Sequence, residues 1–274
     1  MSHVVVTGGA SGVGEALVSR LVEQSRHVHV LDVQAPAESV PEVTYLPTDL
    51  SDLRSINQSL AQLPERIEAL ANVAGMARSE DATQVIAVNF LALRHLTEAL
   101  TPRMASGGAV ANVSSIAGSD WHRRADKLRD ILASEDYQAG ERWCREHESG
   151  FVKDPYTFSK RLATAYTLTR AQTFPATGVR VNCVSPGPIQ TPLYPQFEAL
   201  MGKEQSDWTM EQVGGAAEPD DIAQVLEYLL IGESRWLNGV DLPVDGGYTA
   251  GLAAGWIDFE RSPLMQMLQQ RRKG

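Results

Sequence analysis

The run Val4–Val6 is short and β-rich, and it ends in Thr7-Gly8-Gly9-Ala10-Ser11-Gly12-Val13-Gly14. A helical pattern follows at once, with Val13, Leu17 and Leu21 on one face. This succession constrains the chain more than any other stretch. Glycines let backbone approach a pyrophosphate, and the N-terminus of the following helix aims unpaired N–H groups at it. A second strand, His27–Leu31, is closed by Asp32, 18 residues beyond Gly14. That spacing is close to the ~20 residues expected of an acid that binds an adenosine ribose. A glycine-rich turn alone is a weak signal; strand, turn, helix, strand and acid in order point to a dinucleotide.

The alternation continues along the chain. Val43–Leu46 reads as a strand, Asp52–Leu63 as a helix halted by Pro64, and Ile67–Val73 as a strand ending in Asn72-Val73-Ala74-Gly75. A long helix is expected from Asp81 to Met104 with Asn89 in its middle, then a strand at Ala109–Val113 ending in Ser114-Ser115-Ile116-Ala117-Gly118. Later come a strand at Val179–Val184, a helix opened by Pro219 and a last strand at Val240–Val244. Strands alternating with helices predict an α/β fold: a doubly wound parallel sheet of about seven strands with helices on both faces. Ligands then bind beyond the C-terminal ends of the strands, where the motifs named here fall.

Pro155 suits the first turn of a helix that runs to Phe174 and is stopped by Pro175. It places Tyr156 and Lys160 four apart, hence on one face. A free phenol titrates near ~10, and an adjacent ammonium can lower that by roughly 1–3 units, which makes a general acid/base. Tyrosine and lysine fall four apart in many helices, so this pair gains its meaning from the rest of the chain.

Residues 119–155 break the rhythm. The segment is strongly charged, yet Trp121, Leu128, Ile131, Leu132, Tyr137 and Trp143 supply an apolar side. It is expected to be an insertion of two short amphipathic helices broken near Gly140 and packed against the domain. Residues 190–216 read as a substrate-binding loop, irregular from 193 on and rich in bulky groups (Leu193, Tyr194, Phe197, Leu200, Met201, Trp208, Met210). No internal repeat or domain boundary is visible, so 1–274 is expected to be one domain.

A formal charge of −10 argues against a nucleic-acid or anionic-membrane surface. No apolar run approaches the ~20 residues of a membrane span and no signal peptide is visible, so a cytoplasmic location is expected. Cys144 and Cys183 form no C-x-x-C pair and read as free thiols. The six histidines lack metal-ligand spacing, His27 and His29 simply alternating along a strand, and no metal is expected.

With these pieces in order, the chain resembles the short-chain dehydrogenase/reductase family over its whole length. The matching motifs are T-G-x-x-x-G-x-G (Thr7 to Gly14), Asp49-Leu50, N-x-A-G (Asn72 to Gly75), Asn89, S-x-x-G (Ser115 to Gly118), Y-x-x-x-K (Tyr156, Lys160), Pro186-Gly187 and the D-G-G that follows the last strand. The resemblance implies a single-domain Rossmann fold, a nicotinamide dinucleotide as cofactor and a homo-oligomer. It implies that Tyr156 shuttles the proton at the substrate oxygen and that Lys160 bonds the nicotinamide ribose and lowers the tyrosine pKa. Ser115 bonds the substrate oxygen, and Asn89 holds a water linking Lys160 to solvent. Gly8, Gly12 and Gly14 form the pyrophosphate turn, Asp32 meets the adenosine ribose, and Thr7, Ser11, Val13 and Val33 are further cofactor-binding residues. Asp49 and Leu50 meet the adenine, Ile189 and Thr191 meet the nicotinamide amide, and Asn72, Ala74, Gly75, Pro186 and Gly187 also bind the cofactor. An asparagine inside a helix can also simply bond a neighbouring backbone.

There are two departures. Ser115 and Tyr156 are 41 residues apart, because 119–155 intervenes, and Val73 interrupts the usual Asn-Asn-Ala-Gly. An insertion at this place resembles the bacterial 3α-hydroxysteroid dehydrogenase/carbonyl reductase branch. The expected function is NAD-dependent interconversion of a secondary alcohol and a ketone, on a bulky apolar or cyclic substrate such as a hydroxysteroid. A non-catalytic NAD-sensing regulator would tend to lose Tyr156, Lys160 or Ser115; an epimerase or dehydratase would carry T-G-x-x-G-x-x-G and a larger C-terminal domain. The insertion is expected to cover the family's tetramer contact and leave a dimer.

Overall fold

From the glycine turn outward, β1 (His3–Thr7) feeds α1 (Gly12–Glu23), and β2 (His27–Asp32) and β3 (Val43–Pro47) follow. Next come α2 (Leu53–Gln62), β4 (Ile67–Asn72), α3 (Ala82–Ile86), a π-helical turn at Ala87–Leu91, α4 (Ala92–Leu100) and β5 (Met104–Val113). The insertion carries α5 (Ala125–Leu132) and α6 (Tyr137–His147). Beyond it lie α7 (Pro155–Arg170), α8 (Phe174–Thr177), β6 (Arg180–Pro186), α9 (Tyr194–Met201), α10 (Lys203–Val213), α11 (Pro219–Ile231), β7 (Asp241–Val244), α12 (Tyr248–Ala254) and α13 (Pro263–Lys273). This computed structural model describes residues 2–35 and 39–273.

The seven strands form one parallel sheet in the order β3-β2-β1-β4-β5-β6-β7. Consecutive crossovers run in one direction from β1 to β3 and in the other from β4 to β7, so the switch point lies between β1 and β4. Alternate side chains of one strand feed two cores. Val5 joins a cluster with Ile56, Phe90, Leu96, Leu162 and the insertion's Leu128 and Ile131. Val4 and Val6 join the other, with Leu17, Leu21, Ile222 and Leu226 of α1 and α11. Both faces are therefore covered, as parallel sheets require.

Several boundaries depart from the sequence expectation, each for a local reason. The helix expected from Asp81 to Met104 is four pieces, α3, the π turn, α4 and a 3-10 turn at Thr101–Arg103, because the ladder widens around Asn89 and Pro102 lacks the N–H to continue an α ladder. Met104 is already strand, paired with Ile67, and a register shift follows before Ala69. Pro175 does not stop the Tyr156 helix; it opens α8, where its missing N–H costs nothing, and the terminator is Gly178 at φ 66°. The insertion's helices break at 133–136 rather than at Gly140. Gly140 lies inside α6, where a Cβ would come 2.5 Å from Leu91 Cδ2, so the glycine marks a close approach. Residues 193–216 are not irregular but hold α9 and α10, divided by Gly202 at φ 84°.

Candidate active site

At the switch point the backbone is cradle-shaped. Gly8 and Gly12 have φ of 71° and 57°. A Cβ on Gly8 would lie 2.7 Å from Ala74 Cα, and one on Gly14 only 2.0 Å from Gly8 O. Ser11 takes the N-cap position of α1 in an extended conformation and makes no side-chain cap bond, so the first amides of the helix keep their donors for an anion. Val13 is in the core and offers the site only its backbone. Thr7, expected to meet the cofactor, instead turns its hydroxyl inward, accepting the Val73 and Ala74 amides at 3.1 Å each. It ties the ends of β1 and β4 together and so shapes the cradle from behind. This geometry fits a pyrophosphate.

Asp32 ends β2 beside the cradle. Its carboxylate accepts the Ala10 amide at 3.0 Å and the Gln34 amide at 3.0 Å, while Val33 at the rim is 66 % exposed. Across the crevice, the Thr48 amide donates to Asp32 O at 2.9 Å, which brings the loop after β3 alongside. In that loop Asp49 accepts from the Ser51 amide and hydroxyl at 2.8 and 2.6 Å, and Leu50 is buried. Asn72 departs from expectation: its amide donates to Asn112 at 2.8 Å and Thr97 at 3.2 Å in a buried network between β4, β5 and α4. Its side chain clamps the two strands, with Oδ1 buried and unpaired. Ala74 presses on Gly8. A Cβ on Gly75 would lie 3.7 Å from Lys160 Nζ and 3.8 Å from Asn89 Oδ1, so bare backbone lies beside both.

On the β5 side the sheet presents Ser114 and Ser115. The Ser114 hydroxyl donates to Lys160 O at 3.0 Å and pairs with Thr164 at 2.6 Å, a structural role. Ser115 is buried at the start of a 3-10 turn. Asp154 caps α7 through the Thr157 amide, and Pro155 follows, so Tyr156 enters at the first turn. Lys160 Nζ stands 5.7 Å from the Tyr156 ring centroid and donates to Val113 O at 2.9 Å. Burial pushes the Tyr156 phenol up to about 12; a hydrogen bond with Ser115 works against the rise and Asp154 adds to it. Burial also brings the Lys160 ammonium down to about 8, with Cys183 opposing. The sequence expectation of a lowered tyrosine pKa rests on the ammonium, whereas in this chain burial is the first influence on the phenol. The Lys160 ammonium is turned toward the Val113 carbonyl, and burial disfavours the phenolate.

Asn89 occupies the π turn, and its side chain makes three hydrogen bonds. Oδ1 accepts the Met76 amide at 2.7 Å, and Nδ2 donates to Met76 O and to the Ser159 hydroxyl at 2.9 Å each. The side chain thus staples the loop after β4 to α7 next to Lys160, with both amide hydrogens donated and one lone pair of Oδ1 engaged.

The 190–216 excursion is pinched at its neck. Ile189 bridges Ala217 in parallel, Gln190 N–H donates to Ala217 O, and Ala217 N–H to Pro188 O, each at 2.9 Å. Gly187 closes on Asp245, and its amide donates to Val244 O at 3.1 Å beyond Pro186. Thr191 reaches the glycine turn: a Cβ on Gly12 would meet its Cγ2 at 3.3 Å. From α9, Phe197 sets its ring edge-on to Tyr156, with centroids 4.9 Å apart at 66°. Sequence reading placed Phe197 only in an apolar cluster, since nothing local says which ring meets the tyrosine. It likewise had no signal for the bidentate pair of Arg161 with the insertion's Asp120, at 2.6 and 2.9 Å.

Sheet order and the glycine cradle place the chain among Rossmann-type nucleotide-binding proteins. A sequence model of short chain dehydrogenases matches residues 2–124, and one described as enoyl-(acyl carrier protein) reductase matches 145–249. The stretch matched by neither holds α5 and most of α6. The chain is 33% identical to coniferyl-alcohol dehydrogenase of Pseudomonas sp. (strain HR199 / DSM 7063) over 245 residues, covering 89% of this chain and 95% of that one. It is 27% identical to 3-alpha-hydroxysteroid dehydrogenase/carbonyl reductase of Comamonas testosteroni, covering 91% and 97%. The crystal structure of the 3-alpha-hydroxysteroid dehydrogenase from Pseudomonas sp. B-0831 complexed with NADH superposes with TM-score 0.75 at 25% identity, covering 94% and 100%. The chain belongs to the short-chain dehydrogenase/reductase family and is an oxidoreductase of the alcohol dehydrogenase type. Among the described residues, no helix is long and apolar enough to cross a membrane.

Proposed function

We propose that the protein interconverts a bulky, ring-bearing secondary alcohol and its ketone with NAD, in a reducing cytoplasm, as a homodimer. The observation that carries the substrate class is the Phe197 ring held edge-on to Tyr156. An aromatic wall beside the proton-carrying residue favours a flat or cyclic substrate body over a short polar one. Leu193, Tyr194, Met201 and Trp208 belong to the same excursion, in which the Trp208 ring meets Tyr248 and Phe259. A nicotinamide dinucleotide supplies the hydride acceptor, and its oxidised ring adds a positive charge that favours the phenolate. In oxidation Tyr156 takes the hydroxyl proton, Ser115 holds the substrate oxygen, and Lys160 keeps a cation close by.

The similarity to a coniferyl-alcohol dehydrogenase favours a second reading, an aromatic allylic alcohol. The test is a screen of hydroxysteroids, cyclohexanols and coniferyl alcohol with NAD and NADP, following absorbance of the reduced nicotinamide. Turnover confined to short aliphatic alcohols would overturn the ring-bearing class.

A further inference from the structure

We propose that Tyr137, on the insertion, is a positioning residue for the adenosine half of the dinucleotide. The proposal rests on the cofactor reading above and concerns a residue outside the shared family motifs. Tyr137 is the first residue of α6 and is buried. Its hydroxyl donates to two consecutive carbonyls of the loop after β3, Ser51 O at 3.0 Å and Leu50 O at 3.3 Å. That loop lies beside Asp32, since Pro47 pairs with Asp32 in the sheet and the Thr48 amide bonds Asp32 O. One phenol on the insertion therefore holds the backbone that borders the adenosine end of the crevice.

The phenol is itself firmly seated. Asp136 caps α6 by accepting the Ala139 amide at 2.7 Å. Arg94 of α4 reaches the turn before it, donating to the Ser134 hydroxyl at 2.8 Å and to the Ser134 and Glu135 carbonyls. The His95 ring meets Tyr137 edge-on, with centroids 6.2 Å apart. Burial, then Glu141, Asp49 and Asp52, hold the phenol well above its ordinary pKa, so it stays a protonated donor at any working pH. Removing its oxygen leaves the Leu50 and Ser51 carbonyls without that partner and frees the loop to shift, while the ring still fills its space.

The experiment compares NADH with reduced nicotinamide mononucleotide, which lacks the adenosine half, by nicotinamide fluorescence on wild type and Tyr137→Phe. Loss of one positioning hydrogen bond should weaken NADH about 3–10-fold, leave the mononucleotide unchanged and keep kcat at saturating NAD within about twofold. Unchanged mononucleotide binding also shows that the variant is folded at the site. NADH affinity equal to wild type, or equal losses for both nucleotides, would overturn the proposal, the latter because a merely structural role disturbs the whole site. Wild type that binds neither nucleotide would overturn the cofactor reading itself, a distinct failure.

Discussion

Gly118 lies against the backbone of Lys160: a Cβ built on it would come 2.7 Å from the Lys160 carbonyl oxygen and 3.0 Å from the Ser114 hydroxyl. The loop after β5 can therefore press directly on α7, which brings Ser115 beside Tyr156 although 41 residues separate them in sequence. Gly118→Ala should force the two apart by a few tenths of an ångström. Overpacking of this kind costs on the order of 1–3 kcal/mol, and misplaced catalytic groups lose roughly tenfold or more in rate. Steady-state kinetics should show kcat falling while NADH affinity, measured by fluorescence, stays close to wild type. Full activity in this variant would mean that the Gly118 contact does not set the Ser115–Tyr156 geometry.

Tyr156→Phe should abolish turnover in both directions and leave NADH binding nearly intact, because the hydroxyl carries the proton and the glycine cradle carries the phosphates. The pH dependence follows from the phenol's value of about 12. Oxidation needs phenolate, whose fraction rises about tenfold per pH unit below the pKa, so the oxidation rate should climb with pH from neutral into the alkaline range. Reduction needs the protonated phenol and should be flat across neutrality. An oxidation rate that is already level below pH ~7 with chemistry rate-limiting would remove Tyr156 as the base.

Three histidines form a cluster at the opposite end of the sheet. The rings of His3, His27 and His29 have centroids 5.0 to 5.4 Å apart, and His3 Nδ1 lies 3.0 Å from His29 Nε2. Burial first, then His27 and His3, bring His29 down to about 4. A depressed pKa means that the fold favours neutral imidazole. Its contribution is fully present above the unfolded value near ~6.5 and is lost as pH falls from there toward 4, up to about 3 kcal/mol in all. Thermal melts at neutral pH and near pH 4.5 should therefore show a steeper acid loss for wild type than for His29→Gln. Parallel pH profiles for the two would contradict this.

The sequence disclosed the sheet, the glycine cradle and the Tyr156–Lys160 spacing because each is carried by neighbours a few residues apart. What it hid are decisions made by distant partners. Thr7 and Asn72 sit at motif positions, yet their side chains bond Val73, Ala74, Thr97 and Asn112 rather than facing the crevice. The π turn at Asn89 exists where Asn89 bonds Met76 and Ser159, contacts no local periodicity reveals. Gly140 resembles a helix break in the sequence because glycine marks both breaks and close approaches, and only the Leu91 contact distinguishes them. The rise in the Tyr156 pKa depends on burial, which spacing alone does not report.

The insertion bears on assembly. Trp143 lies parallel to Phe158 of α7, with centroids 6.3 Å apart at 2°, and Asp120 pairs with Arg161 of the same helix. Gly140 packs on Leu91 in the π turn before α4. The helix that carries Asn89 and the helix that carries Tyr156, which the family resemblance implies as one tetramer contact, are therefore partly covered by the chain's own residues. A dimer is the expected species, and light scattering at micromolar concentration is the check. A stable tetramer there would show that the covered face still associates.

Cofactor choice should turn on Asp32. Its carboxylate is oriented by the Ala10 and Gln34 amides at 3.0 Å each, which leaves lone pairs for the adenosine ribose hydroxyls. A 2′-phosphate in the same place would set negative charge against negative charge. Ala10, Ser11, Val33 and Gln34 offer no cation to offset it. One lost or repulsive charge contact is worth on the order of 1–3 kcal/mol, so kcat/KM should favour NAD over NADP by about tenfold to a hundredfold. Asp32→Ala should erode that ratio mainly by weakening NAD, with a smaller loss for both cofactors because the Ala10 amide loses its acceptor. Val33→Arg gives the cleaner test, since Val33 is 66 % exposed and its replacement leaves the Asp32 bonds in place. It should raise kcat/KM with NADP while changing NAD little. A wild type that prefers NADP, or an Asp32→Ala ratio equal to wild type, would show that Asp32 serves only to hold the turn.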